Sequence, residues 1–281
     1  MNGGYFEQQH FRSDGRNHHQ NAERANALNP GDYQGEEGLW YCGKCHTPKQ
    51  TALPFGIVFC MCRCAADEFN RKREREERRR RAEAALSNSF DDSRLRAWTF
   101  ANDDGLTPQY TEAARRYCDH FEEFRADGRG LLLWNAQPGS GKSWMAAMIV
   151  NELCSRGISC RMTSFGRILA DLRGNFNERD YMERLMSHSL LVIDDLGAER
   201  DTSYSAEKVF NVIDNRVNTG LPLIITTNLP IDALKNPTTE STMRIYSRIL
   251  KCCHPIHIEG SDRRKMIAAK EYQPMKDILG I

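Results

Sequence analysis

Residues 136–143 read AQPGSGKS, set between the apolar run Leu131–Trp134 and a stretch of helical spacing that opens at Ser143. Few segments constrain a fold as tightly. Glycines let successive backbone N–H groups turn inward on an anion, and a helix starting there adds partial positive charge. A strand must lead in and a helix must lead out, so the segment demands an α/β domain that holds phosphates at the carboxyl end of a strand. Pro138, Gly139, Ser140 and Gly141 then form the cradle for a nucleotide, ATP. Lys142 reaches the terminal phosphates and Ser143 ligates Mg²⁺. Ala136 stands where the motif has its first glycine, and it fits if that residue keeps a negative φ.

The rest of the chain after residue 129 agrees with this demand. Strand-like runs GLLLW, ISCRMT, SLLVID and LPLIITTN alternate with helical spacing from Ser143, through Leu172, and over Ala206 to Val217. Continuous apolar strands alternating with amphipathic helices predict a parallel sheet covered on both faces. Asp194 and Asp195 end one strand, placed to hold Mg²⁺ through water and to orient or deprotonate an attacking water, respectively. The ordinary alternative for such a pair is a helix N-cap. Asn228 ends the next strand, where its amide can bond the lytic water or the γ-phosphate. Upstream, the apolar spacing of Ala113, Ala114, Tyr117, Phe121 and Phe124 predicts one helix over Thr111 to Phe124.

Composition excludes several classes and divides the N-terminal third. Net charge is +1, with 40% apolar and 27% charged residues, so no overall field favours nucleic acid or acidic lipid. Apolar runs are strand-sized, far short of a membrane span, and the polar N-terminus lacks the apolar core of a signal peptide. A cytoplasmic protein with no membrane partner is expected. Residues 1–38 read as a disordered polar tail, in which His18 and His19 could ligate a metal but fit an ordinary polar tail better. Five of ten cysteines crowd into residues 39–64. In a reducing compartment such a cluster points to metal rather than to disulfides. Residues 65–87 contain no Gly or Pro and read as a solvated connector helix, with Glu74–Arg78, Glu76–Arg80 and Glu77–Arg81 at i,i+4 spacing. Its basic run, RKREREERRRR, can also meet nucleic acid or an acidic surface. Residues 88–281 form the nucleotide-binding domain.

Together AQPGSGKS, SLLVIDDLG, IDNRVNTGLPLIITTN with Arg216, RIYSRIL and IEGSDRRK resemble the DnaC/DnaI-type replicative helicase loaders and the related IstB-type transposition ATPases, across residues 88 to 275. The resemblance implies an AAA+ fold that hydrolyses ATP. It implies that Arg248 is an arginine finger reaching a neighbouring subunit's nucleotide, and that Arg263 is the sensor-2 arginine. Asp262 stands where the family has an aromatic, so Arg264 competes with Arg263 for that role. WYCGKCHTPKQ followed by FCMCRC is similar to the zinc-binding N-terminal region of many loaders, phage and prophage ones especially. Cys42, Cys45, Cys62 and Cys64 are the favoured Zn²⁺ ligands, with Cys60 the alternative for either of the last two. A loader would bind the hexameric replicative helicase and single-stranded DNA, and would self-associate or assemble into a ring or spiral with the helicase. The alternatives are a transposition helper that bends DNA, and an adaptor that binds ATP only as a switch.

Overall fold

A computed structural model describes residues 28–174, 177–198 and 202–280. The chain divides into two units, Met1–Glu77 and Arg78–Ile281. Part of the expected tail, residues 1–27 with His18 and His19, lies outside the described residues. The remainder of that tail is folded, which corrects its boundary at residue 38. Asn29 and Asp32 close a turn, and strand β1 (Tyr33–Gln34) pairs antiparallel with β2 (Trp40–Tyr41). Asp32 accepts from the Gly43 amide at 3.0 Å and forms a buried ion pair with Lys49 at 2.6 Å. The Lys49 hydrogen bond holds the Asp32 carboxyl down at about 2. Asp32 and Lys49 are distant in sequence, so no local periodicity announces them.

A hairpin of β3 (Gln50–Leu53) and β4 (Gly56–Phe59) follows, turning through Pro54 and Phe55. Helix α1 (Arg63–Ser87) begins at the end of the cysteine run. Its ion pairs are Arg73–Glu77 and Arg79–Glu83 at 3.8 and 3.5 Å, in place of the three expected from spacing. These side chains are exposed, and water competes well for each of them. The division between units falls within this helix. Ala85 and Leu86 pack on the core of the second unit, so the last turns of the expected connector belong to the domain that follows.

In the second unit the helix expected over Thr111 to Phe124 is two, α2 (Pro108–Asp119) and α3 (Phe121–Ala126). They break at His120, which takes φ −102° and ψ 19°. The break re-aims the aromatic residues, so Tyr117 stacks on Phe124 with centroids 5.0 Å apart and Phe121 is fully covered. After β5 (Gly130–Trp134) the order is α4 (Lys142–Ser155), β6 (Cys160–Ser164), α5 (Phe165–Arg173), α6 (Glu178–Ser187), β7 (Leu190–Leu196), α7 (Ser203–Asn218), β8 (Leu223–Thr227), α8 (Ile231–Lys235), α9 (Glu240–Cys252), β9 (Cys253–His257) and α10 (Arg263–Leu279). Among the described residues no helix is long and apolar enough to cross a membrane.

The five strands β5 to β9 form one parallel sheet in the order β6-β7-β8-β5-β9. Side chains alternate across it as the pleat requires. Leu131, Leu133, Val192 and Ile224 meet α2 and α4 on one face, whereas Leu132, Leu191, Ile193 and Ile225 meet α5, α7 and α9 on the other. Pro255 is tolerated in β9 because that strand is an edge. Arg216 is 0% exposed. Its guanidinium donates to the carbonyls of Met186, His188, Ser189 and Pro222, tying the end of α7 to the chain entering β7 and β8. Burial pushes its pKa down to about 10.

Candidate nucleotide site

The site forms where β5, β7 and β8 end side by side. Asn135 closes the base of the glycine loop, donating to Ile258 O at 2.7 Å and accepting from the Gln137 amide at 2.7 Å. Gly139 and Gly141 take φ 81° and 103°. A methyl group there would also run into the start of α10, meeting Asp262 Oδ1 at 2.0 Å and Arg263 Nη1 at 2.2 Å. Ala136 is not among the residues with positive φ, so the alanine fits its place. Lys142 is buried, and its ammonium donates to Asn135 O, Gln137 O and Ser140 Oγ at 3.1–3.4 Å. Burial lowers its pKa against the pull of Asp195 and Asp194.

The acids face this loop. Ser143 Oγ donates to Asp194 Oδ1 at 2.8 Å, and Thr226 Oγ1 donates to the same oxygen at 2.6 Å. Burial raises the Asp194 pKa, and the two hydroxyl bonds oppose that rise. Asp195 sits at φ 58°, beside the β-bulge between Ile193 and Leu196. The bulge turns Asp195 toward the cavity that Lys142, Ser143 and Asn228 also line. Neither acid caps a helix; Thr202 caps α7 instead.

The IEGSDRRK segment closes the other side. Arg263 N donates to Gly139 O at 3.1 Å, and Gly260 packs on Ser140 so closely that a Cβ would lie 2.7 Å from its carbonyl oxygen. Asp262 accepts from Arg264 N at 3.1 Å as the N-cap of α10, which accounts for an acid at that position. Both arginines line the cavity, in different states. Arg263 is 6% exposed, paired with Asp104 and bonded to Thr107 Oγ1, with its guanidinium 5.5 Å over the Trp144 ring. The Arg264 side chain is exposed and has no ion pair among the described residues. Trp98 and Trp144 also border the cavity, 5.0 Å apart. Sequence reading missed both, because nothing local links Trp98 to the loop.

Arg248 does not line this cavity. On α9 it pairs with Asp214 of α7, donates to Arg244 O at 3.2 Å, and lies 4.5 Å over the Phe210 ring, still partly exposed.

A second constellation lies in the first unit. The sulfurs of Cys42, Cys45, Cys62 and Cys64 all fall within 4.8 Å of one another, with Cys62–Cys64 at 3.4 Å and Cys42–Cys64 at 3.7 Å. Tetrahedral zinc with bonds of about 2.3 Å spaces its thiolates about 3.8 Å apart, so the four side chains fit that metal. Cys60 points elsewhere, donating to Pro48 O at 3.6 Å.

A glycine loop between β5 and α4, faced by acids ending β7 and a polar residue ending β8, defines a P-loop nucleotide-binding domain of AAA+ architecture. The family profile described as IstB-like ATP binding protein matches residues 70–270, and the chain belongs to that family. It is 26% identical over 196 residues to the replicative helicase loader DnaI of Bacillus subtilis, covering 65% of this chain and 63% of that protein. It is 26% identical over 144 residues to an insertion-sequence ATP-binding protein of Mycobacterium tuberculosis, covering 49% and 56%. Both matches span less than two thirds of those relatives' lengths. The crystal structure of DnaI superposes with a TM-score of 0.55 at 22% identity, covering 65% of this chain and 99% of that one. That likeness shows the shared fold.

Proposed function

We propose that this chain is an Mg²⁺-dependent ATPase that loads a replicative helicase onto single-stranded DNA. The observation that carries the ATPase reading is the Ser143–Asp194–Thr226 ladder beside Lys142. In this reading the loop amides and Lys142 bind the phosphates, while Ser143 and Asp194 hold Mg²⁺. Bound Mg²⁺ supplies charge neutralisation at the phosphoryl oxygens. Asp195 orients or deprotonates the attacking water, and Asn228 reads the γ-phosphate. Arg263 supports the loop from its Asp104 pair, and exposed Arg264 is as well placed to swing onto a phosphate. Arg248 serves a neighbour's site.

The loader reading rests on the cysteine module together with the match to a helicase loader. The four thiolates hold one Zn²⁺, which fixes a module too small to build a core of its own. The hairpin behind it exposes Phe55 at 81% and Ile57 at 60%, an apolar surface suited to a protein partner. Affinity capture from host lysate, read by mass spectrometry, is expected to return the hexameric helicase, and Ile57→Asp should abolish that capture with ATP binding intact. Recovery of a transposase in its place favours the transposition helper, and recovery of neither overturns the loader.

Purified protein should carry about one zinc per chain. Cys42→Ser is expected to release it and unfold the module while nucleotide binding persists; Cys60→Ser should leave the metal in place. Metal analysis finding no zinc in chelator-free preparations removes the metal from this account.

A further inference from the structure

Thr226 has entered so far only as a partner of Asp194, yet its hydroxyl makes two bonds behind the acids. The residue is 0% exposed. Its Oγ1 donates to Asp194 Oδ1 at 2.6 Å and accepts from the Asp195 amide at 2.9 Å. The first bond fixes the carboxylate that faces Ser143. The second ties down a residue at φ 58°, a conformation that non-glycine residues rarely adopt. On the next residue, Thr227 Oγ1 donates to Leu196 O at 2.7 Å and closes the far side of the same bulge. Asn228 follows directly and lines the cavity.

We propose that Thr226 is a positioning residue for ATP hydrolysis: one hydroxyl sets the geometry of both Asp194 and Asp195 and fastens them to the strand that carries Asn228. The proposal rests on the ATPase reading above. Its physical basis is that a threonine hydroxyl can donate once and accept at the same time. Here the donor serves the side chain of one acid and the acceptor serves the backbone of the next. A valine has the same shape and can do neither. Removing the hydroxyl frees the Asp194 carboxylate to rotate away from Ser143, and it releases the amide that holds Asp195 in its left-handed turn.

The test compares full-length Thr226→Val, Thr226→Ser and Ile225→Val with the wild type. Ile225 is the neighbouring buried residue on the opposite face of β8, so its variant controls for loss of packing alone. Binding of a fluorescent ADP is measured with and without Mg²⁺, alongside kcat and KM for ATP. In Thr226→Val, metal-free nucleotide binding should match the wild type. The Mg²⁺ needed for half-maximal effect should rise, and kcat should fall, each by about tenfold or more, the scale of a lost hydrogen bond to a charged group. KM should change little. Thr226→Ser keeps the hydroxyl and should restore both, and Ile225→Val should alter neither. Wild-type Mg²⁺ dependence and kcat in Thr226→Val overturn the positioning role while the ATPase reading stands. A defect equal in Thr226→Val, Thr226→Ser and Ile225→Val assigns the effect to packing and also overturns it. Failure of the wild type itself to bind Mg²⁺-nucleotide overturns the ATPase reading, and this proposal with it.

Discussion

Arg248→Ala protein is expected to bind ATP nearly as well as the wild type and to lose hydrolysis by roughly 10³-fold, the contribution of an arginine supplied in trans. Binding should survive because Arg248 stands away from its own chain's glycine loop, fastened to Asp214 and laid over Phe210. Hydrolysis should fail because Lys142 and Mg²⁺ neutralise the transferring phosphoryl group only in part, and a planar cationic fork matches the oxygens left over. Complementation makes the shared site testable. Mixed with Lys142→Ala protein under assembling conditions, with DNA or helicase present, Arg248→Ala should regain activity at interfaces that pair an intact loop with an intact arginine. Two folded variants that never complement place Arg248 within its own subunit's work, or outside catalysis.

Asp195→Asn should separate binding from chemistry. The substitution removes the charge beside the attacking water, and asparagine tolerates left-handed backbone as well as aspartate does. Because φ is 58° at this position, alanine would add a conformational penalty that asparagine avoids. Asp194 keeps both of its hydroxyl partners, so Mg²⁺ and nucleotide should still bind. Turnover is expected to fall by roughly 10²–10⁴-fold, the range for loss of a general base. Wild-type turnover in this variant would remove Asp195 from the mechanism.

Much of the fold was legible because its signals are local. The loop between GLLLW and Ser143, the strand carrying Asp194 and the run into Asn228 each announce themselves within ten residues, and the structure brings them to one cavity. What escaped was held by distance. The Asp32–Lys49 pair folds part of what reads as tail. Strand β9 reads poorly because CHPIH has two histidines and a proline, acceptable only at the edge the sheet gives it. Trp98 reaches the cavity, and Asp104 reaches the Arg263 that lines it, from a segment of short 3₁₀ turns without periodicity. Asp262 departs from the family pattern, and only its place at the head of α10 explains it.

The buried arginine at the end of α7 gives Arg248 a fixed frame of reference. Arg216 welds that helix to the carbonyls preceding two sheet strands, and Asp214, one half-turn earlier, grips Arg248. If a neighbour draws on this guanidinium as proposed, it would load a helix anchored in the sheet rather than a pliant loop. The same two strands carry Asp194 and Asp195 near the end of β7 and lead from β8 into Asn228. On the proposed trans role of Arg248, traction at one subunit's edge would be delivered along β7 and β8 to its own nucleotide site, so that neighbouring sites would be mechanically in series.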